Sequence, residues 1–524
     1  MRKWFLFGGA VVLVLFGASY LAALTIIAPK LVNGARQRAE DYLSKRFDST
    51  VQISAFHLRI FPTIRVEADG IVLRHEGRTD VPPLIQIRKL SFGANFEGLL
   101  GRKVDIRSIR LDGLRVNTPP RQAGDPPLFK GSNQSLSEKY PVIIHEIVAE
   151  DATLVMLRKS RRSSTPPTEF QIHALRLHDF SFDRPASFQA LLRNPKPAGL
   201  IQCGGQFGPW RADDPSETPV EGAYVFQNAD MSTLKGLRGT MQSKGQFYGP
   251  LDYLNVDGET DIPDFALRTS AHPMALHTDF SAIVDGTNGN TILKTVTARF
   301  LRTTLSVHGE VVHLKKHMKG RTIELYTTSN SARIEDLLAL AVDASPPALT
   351  GPVHLAARID IPEGNTDLLD RMKLAGRFGV GELQFTNPKT QEKVDSLSRR
   401  GQGKPKDGEI AGALSRMQAA FNMDESTIHV SDLVFATDGA KVDLAGTYQM
   451  DSGQLEFKGR LRLDAKLSQT MTGVGAFFLK AVDPFFSKHG AGTELPIKIT
   501  GTKDHPHYGL DFRDKSNKVT RGAE

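Results

Sequence analysis

The chain has 524 residues, of which 40% are hydrophobic, and it carries a formal net charge of +8. A single cysteine, Cys203, excludes an intrachain disulfide and therefore a disulfide-stabilised fold. The positive charge is spread along the chain, often on strand positions such as Arg460 and Arg462, which is typical of a solvated face. We therefore expect no nucleic-acid partner. The 46 glycines and 29 prolines favour a turn-rich β protein.

The first predicted element is a transmembrane helix. Residues 4–28 carry no charge, and at 1.5 Å per residue they would span ~37 Å, more than the ~30 Å hydrocarbon core of a bilayer. No Ala-x-Ala cleavage site occurs in this run, so we predict an uncleaved signal anchor over residues 1–28. The flanking cations alone would place the rest of the chain in the cytoplasm, but long domains cross regardless of flanking charge, which leaves the orientation open.

A mixed-charge juxtamembrane helix is predicted next, over residues 29–47, and a β region over residues 48–200. In this region apolar residues alternate with polar ones, as at Leu90 and Phe92, which is the pattern of a strand with one dry face. The alternation changes phase at Gly113, between Leu111 and Leu114, which predicts a bulge. Long exposed loops are expected over residues 118–141 and from Arg158 onward.

A longer β region is predicted over residues 201–466. The segment LEFKGRLRLDAKL, Leu455–Leu467, has an apolar residue or glycine at every odd position and a charge at every even one. Thirteen residues at ~3.3 Å each would make an unusually long strand of ~43 Å with one apolar side. The predicted apolar lining consists of Leu305, Val307, Val353, Leu355, Ile359, Ile361, Leu455, Phe457, Leu461 and Leu463.

Few helices are predicted within these regions. SARIEDLLALAV would begin at Ser331 as its N-cap, with Glu335 and Asp336 as surface charges, and NTDLLDRM would form one or two turns. A hydrophobic helix is predicted over residues 467–490, followed by C-terminal strands and a polar tail over 491–524. Its apolar residues are Val474, Phe477, Phe478, Val482, Phe485 and Phe486, and it would plug a groove, dock on a partner, touch a membrane or form part of a core.

The sequence contains no recognisable catalytic or metal-binding motif. His313 and His317 lie beside lysines that would repel a cation, and His505 and His507 have no third ligand nearby. The G-x-S-x-G, P-loop and dinucleotide-binding fingerprints are absent from the sequence. We therefore predict a protein that is not an enzyme and that holds no cofactor or metal.

The strands carry far more apolar surface than the few helices can cover. Such strands can pack as a sandwich, close into a barrel, or curl into a trough that holds an apolar ligand. Exposing the ~30 methylene groups of a phospholipid to water costs on the order of 25 kcal/mol, so a continuous apolar lining would remove a large barrier to lipid movement. We predict a mainly β fold in which a long curled antiparallel sheet forms an elongated groove, with one N-terminal transmembrane helix and a few short helices.

Two stretches of the chain resemble the AsmA-like family. The first is YLSKRFDSTVQISAFHLRIFPTIRVEADGIVLR, directly after the predicted span, and the second is VDPFFSKHGAGTELPIKITGTKDHPHYGLDF near the C-terminus. The resemblance implies a protein anchored in the inner membrane of diderm bacteria with its bulk in the periplasm. It also implies a relationship to bridge-like lipid transporters that have a curled β groove, and it carries no catalytic residues.

The leading functional expectation is a single-pass, periplasmic protein that binds or conducts phospholipid and contributes to outer-membrane lipid transport or envelope biogenesis. Its expected partners are phospholipid, the inner membrane and envelope proteins. One alternative is an assembly factor or scaffold for outer-membrane proteins that acts through an exposed sheet edge. A second alternative is a hydrolase on a β scaffold, suggested only by scattered histidines and aspartates.

Overall fold

The computed structural model describes residues 35–511 apart from 48, 60–63, 76–78, 80–81, 95–103, 119–141, 157–167, 182–183, 210, 212–216, 271, 287, 314–319, 343–344, 365, 406–412, 467–468, 471–491 and 503–504. Within this part of the chain, no helix has the length and hydropathy needed to cross a bilayer. The predicted anchor at 4–28 and the six apolar residues of the predicted 467–490 helix lie outside the described residues.

The described residues are mainly β, and 25 strands belong to one large, open, mainly antiparallel sheet. The strands up to residue 230 are β1 (Ser49–Arg59), β2 (Ile64–His75), β3 (Ile85–Ala94), β4 (Val104–Thr118), β5 (Val142–Met156), β6 (Thr168–Phe180), β7 (Ala186–Pro195), β8 (Ala198–Phe207) and β9 (Pro219–Asp230). The next are β10 (Leu237–Arg238), β11 (Thr240–Pro250), β12 (Leu254–Leu267), β13 (Met274–Val284), β14 (Thr291–Phe300), β15 (Thr303–Val312), β16 (Thr322–Arg333) and β17 (Leu349–Thr350). The last are β18 (Pro352–Ile361), β19 (Lys373–Phe385), β20 (Ser415–Asp424), β21 (Thr427–Thr437), β22 (Ala440–Gln449), β23 (Gln454–Leu463), β24 (Thr493–Thr502) and β25 (Pro506–Leu510).

Four α-helices and one 3₁₀ turn accompany the strands in the described ranges. They are α1 (Ala35–Phe47), α2 (Ile334–Ala341), α3 (Leu368–Arg371), α4 (Pro388–Gly401) and the 3₁₀ turn Met231–Thr233. The predicted short helix in NTDLLDRM is confirmed as α3. The predicted start of the SARIEDLLALAV helix at Ser331 is wrong, because Ser331 continues β16 and the helix begins three residues later.

The chain divides into two compact units. The first comprises residues 1–233, 240–261 and 281–291, and the second comprises 234–239, 262–280 and 292–524. In the first unit, β1 to β9 pair in chain order and β9 continues through β11 to β12. The predicted antiparallel sheet is confirmed with one exception, since β4 and β5 pair in parallel; their long connection permits it.

The N-terminal part of the first unit has a closed apolar core. Its largest side chains, including Ile87, Ile109, Leu111 and Ile147, are less than 2% exposed. Both Leu111 and Leu114 are buried although they differ in strand phase, and Gly113 between them has φ +61°, so the predicted irregularity at Gly113 is confirmed. We refer to the buried residues of α1 and of β1 to β7 as the N-terminal core.

In the second unit, ten strands form a ladder in the order β15, β16, β18, β19, β20, β21, β22, β23, β24 and β25, and all their pairings are antiparallel. The predicted strand Leu455–Leu467 corresponds to β23, which ends earlier, at Leu463. It ends there because the backbone N–H groups of Asp464 and Ala465 donate hydrogen bonds to Gly439 and Gly401, outside the ladder.

Candidate functional site

The candidate site is one side of the β15–β25 ladder, which we call the apolar face. Directly paired residues in antiparallel strands point to the same side, so the register of the pairs defines which residues share it. One row across the ladder is apolar on seven successive strands and consists of Val353, Val380, Met417, Phe435, Val442, Leu461 and Leu495. A second row consists of Leu325, Ile359, Leu374, Met423, Ile428, Tyr448, Leu455 and Gly501.

The opposite side of the same ladder is charged. Arg358 pairs with Glu324 and Asp360 there, and Arg462 bridges Asp443 at 2.8 Å and Glu494 at 3.1 Å. These groups are at least partly exposed, so solvent screens the pairs and they contribute little to stability. The division into a charged side and an apolar side therefore holds across the ladder, and it is the pattern that the sequence predicts for single strands.

All ten residues of the predicted lining lie on the apolar face. Nine of them are placed there by strand register, and Leu305 packs against the same cluster as Val353. Their burial divides them into two groups. Val353, Ile361 and Leu463 are 1%, 8% and 7% exposed and are covered by protein. The half-buried residues are Leu305, Val307, Leu355, Ile359, Leu455, Phe457 and Leu461.

The half-buried state extends across the central rows of the apolar face. Leu325, Leu374, Phe378, Phe421 and Leu444 are each half-buried, although comparable side chains of the N-terminal core are almost fully covered. At the last strand, Tyr508 is 70% exposed and Leu510 is 44% exposed. Soluble proteins rarely leave whole rows of apolar side chains only half covered, as the described residues do here. This face is therefore a candidate binding surface.

One end of the apolar face is closed by helix α2. Ile334 and Leu337 of this helix pack against a cluster of buried residues that includes Ala332, Val353, Val380 and Leu383. Phe385 and Phe435 join the cluster, with their ring centroids 6.2 Å apart. The helix therefore covers the Val353 end of the apolar face and leaves the central rows half-buried.

Two buried carboxylates fix helix α2 in place. Glu335 accepts hydrogen bonds from Arg333 Nε at 2.8 Å and from the Gly351 backbone N–H at 3.0 Å. Asp336 accepts from the Arg302 backbone N–H and from the Thr303 hydroxyl, both at 2.9 Å. The expectation that Glu335 and Asp336 are surface charges is wrong, because the helix turns its first-turn carboxylates toward these donors and buries them to 7% and 3% exposure.

The environment of Glu335 shifts its pKa. Burial raises the pKa of this carboxyl, but the hydrogen bonds from the backbone and from Arg333 favour the charged form more strongly. The net result is a pKa below the ordinary value for glutamate. The ionised carboxylate therefore stabilises the docked position of α2.

Helix α4 packs beside the same end of the ladder. The Asn387 side chain caps its N-terminus, and Asp395 accepts hydrogen bonds from the Ala413 backbone N–H at 3.0 Å and from Gln391 at 2.9 Å. At its C-terminus a Cβ on Gly401 would lie 2.3 Å from the Gly439 carbonyl oxygen, so only glycine permits this close approach. The helix is held against the turn between β21 and β22.

In the first unit, strands β7, β8, β9 and β11 also carry an apolar side, on which two large rings meet. Phe188, Gly205, Gly222 and Phe247 lie opposite one another on successive strands. The two phenylalanine rings approach to 6.5 Å across the two glycines. Cys203 lies on the same side, and desolvation raises the pKa of its thiol to about 11.

Within the described ranges, no group of three histidine, cysteine, aspartate or glutamate side chains is placed to hold a metal ion. No protein-family model, curated protein or solved structure matches the chain. The resemblance to the AsmA-like family therefore stays a prediction from the sequence, and the case for a function rests on the apolar face. The alternation of apolar and polar residues predicts individual strands of this face. Nothing in the local sequence indicates that helices α2 and α4 pack at one end of it.

Proposed function

We propose that this protein is a membrane-anchored periplasmic protein that binds or conducts phospholipid along the apolar face of its β15–β25 ladder. In this proposal it contributes to outer-membrane lipid transport or envelope biogenesis and catalyses no reaction. The observation that carries the proposal is the continuity of half-buried apolar side chains across ten paired strands, with charges confined to the other side.

The dimensions of the ladder support acyl chains as the occupant. Nine strand spacings of ~4.8 Å give a width of roughly 43 Å, which exceeds the ~30 Å hydrocarbon core of a bilayer. Each methylene group transferred from water to an apolar surface contributes ~0.8 kcal/mol. The half-buried rows would supply such contacts along the whole path, while headgroups stay in water.

Glycines on the apolar face support a curled sheet. A Cβ on Gly446 would lie 2.0 Å from the Glu456 carbonyl oxygen, and a Cβ on Gly459 would lie 1.8 Å from that of Asp443. These distances exclude any other residue without a backbone shift, and glycines at such positions are a known means of bending a sheet. We infer that they curl the ladder into the groove that the sequence analysis predicts.

The test compares two adjacent positions on β23. Replacing Leu461 with Glu places a charge on the apolar face, whereas Arg460→Glu reverses a charge on the other side. Phospholipid that copurifies with the full-length protein is measured by mass spectrometry. We expect Leu461→Glu to lower the lipid content at least tenfold, since burying a charge against acyl chains is costly, and Arg460→Glu to leave it unchanged. Equal lipid contents in the two variants, or none in the wild type, would contradict the proposal.

An assembly factor for outer-membrane proteins is the second candidate. The observation that favours it is strand β25, which pairs only with β24 among the described residues and exposes Tyr508 and Leu510. An unpaired edge can accept a strand from a client protein. Crosslinks from Tyr508 to an outer-membrane protein, together with a lipid-free apolar face, would favour this function over lipid binding.

A further inference from the structure

The outer face of helix α4 carries three cations in one stripe. Lys389, Lys393 and Arg400 are exposed, and at ~100° per residue they lie within ~40° of one another around the helix. The side that packs on the protein is the opposite one, where Val394 and Ser398 are buried. We call the three cations the basic stripe.

Helix stability does not explain the basic stripe. Lys389 lies in the first turn, where the helix dipole disfavours a cation, and this turn contains no acidic residue. Arg400 is suited to its position in the last turn, but Lys393 in the middle gains nothing from the dipole. None of the three forms an ion pair with any described residue, and Glu392 is the one exposed acid of the helix.

Helix α4, which carries the basic stripe on its outer side, packs next to the end of the ladder at which α2 covers the apolar face. Ser398 of α4 donates a hydrogen bond to the Asp438 carbonyl at 2.9 Å, and the following strand begins with Ala440. Ala440 pairs with Leu463, and the chain just beyond Leu463 returns to α4 through the hydrogen bond from Ala465 N–H to the Gly401 carbonyl. Cations and apolar residues thus occur together at this end, which matches the two parts of an anionic phospholipid.

We propose that the basic stripe of α4 docks the protein on a bilayer surface that contains anionic phospholipids. This inference rests on the proposed function, because it takes the apolar face to bind lipid. It then identifies the end of that face at which lipid is exchanged with a membrane. The attraction comes from phosphate headgroups, and each cation near an anionic surface strengthens binding about fivefold. Loss of three cations should therefore weaken docking roughly 100-fold.

The experiment uses the full-length protein held in nanodiscs of phosphatidylcholine and measures its binding to separate vesicles. The vesicles contain phosphatidylcholine alone or with phosphatidylglycerol. The triple variant Lys389→Gln, Lys393→Gln, Arg400→Gln keeps good helix formers and removes the stripe. A matched control, Arg193→Gln, Arg238→Gln, Arg377→Gln, removes three exposed cations that lie on strands β7, β10 and β19. A second control, Glu392→Gln, removes the one acid beside the stripe.

We expect the wild type to bind only the anionic vesicles, and to lose most of this binding when the salt is raised from about 0.1 M to about 1 M. The stripe variant should bind about 100-fold more weakly, the distant variant should bind as the wild type does, and Glu392→Gln should bind more tightly. Equal losses in the stripe and distant variants, or tight binding to neutral vesicles, would overturn the inference.

A separate readout distinguishes this inference from the proposed function. Lipid that copurifies with the stripe variant reports on the apolar face alone. If the stripe variant keeps the wild-type lipid content and still binds anionic vesicles tightly, the docking role is overturned and lipid binding by the apolar face stands. Docking that depends on the stripe in a protein that never carries lipid would overturn the proposed function instead.

Discussion

The N-terminal core and the apolar face use the same kind of strand for different purposes. Leu111 in the N-terminal core is 1% exposed, whereas Leu355 on the apolar face is half-buried, although both lie in strands with alternating apolar residues. In the core, apolar residues from α1 and seven strands cover one another. On the apolar face, helix α2 covers only one end. The comparison teaches that alternation sets which side of a strand is apolar, and that packing decides whether this side is sealed.

The sharpest test of the comparison is a matched pair of leucine truncations. Leu111→Ala should lower the free energy of unfolding by about 3 kcal/mol, because it leaves a cavity in a closed core. Leu355→Ala should cost only about 1 kcal/mol, because that side chain is only half-buried in the folded protein. Chemical denaturation of both variants, followed by hydrogen exchange of β4 and β18, measures the difference. Equal losses would mean that the apolar face is sealed as the core is.

A second test compares two glycines of the second unit. Gly459→Ala should destabilise the protein by about 2 kcal/mol, because its Cβ would meet the backbone of β22 at 1.8 Å. Gly379→Ala is the control, since no atom lies within 4 Å of its added Cβ. Thermal unfolding of the two variants separates the steric effect from the general effect of replacing glycine. A tolerated Gly459→Ala would remove the main support for a curled ladder.

A third and smaller effect concerns pH and the closed end of the apolar face. The pKa of Glu335 is lowered in the folded protein, so its contribution to stability is present above the pKa of an unfolded glutamate, ~4.3, and is lost as the pH falls through the folded value. We expect protection of the α2 amides from hydrogen exchange to decline as the pH falls below ~4.3 and through the lowered pKa of Glu335. Glu335→Gln should lower the protection at neutral pH and remove its dependence on acid. Unchanged protection in this variant would show that the carboxylate does not hold the helix.

The sequence predicted the strands well where the alternation is regular. Val353, Leu355, Ile359 and Ile361 follow a strict period of two, and they lie on one side of β18 as predicted. The sequence could not predict the long-range register of the strands. Pairs such as Leu461 with Leu495 depend on which strands meet in the folded sheet and not on the local residue pattern.

Other features lacked any local signal. Asp432 adopts φ +52° at the point where the pairing of β21 with β22 shifts, and no glycine marks this position. The burial of Glu335 and Asp336 depends on donors more than 15 residues distant, Gly351 and Arg302 among them. The candidate site was therefore predictable as a set of apolar positions, but its closed end required the tertiary structure.

The most direct test of the central claim is photocrosslinking at two adjacent positions in cells. A photoreactive amino acid replaces Phe457 on the apolar face or Lys458 on the charged side, and covalently attached lipid is identified by mass spectrometry after purification. The account predicts phospholipid adducts at position 457 and none at position 458, since side chains alternate between the two sides of β23. Adducts at both positions in equal yield, or at neither, would contradict it.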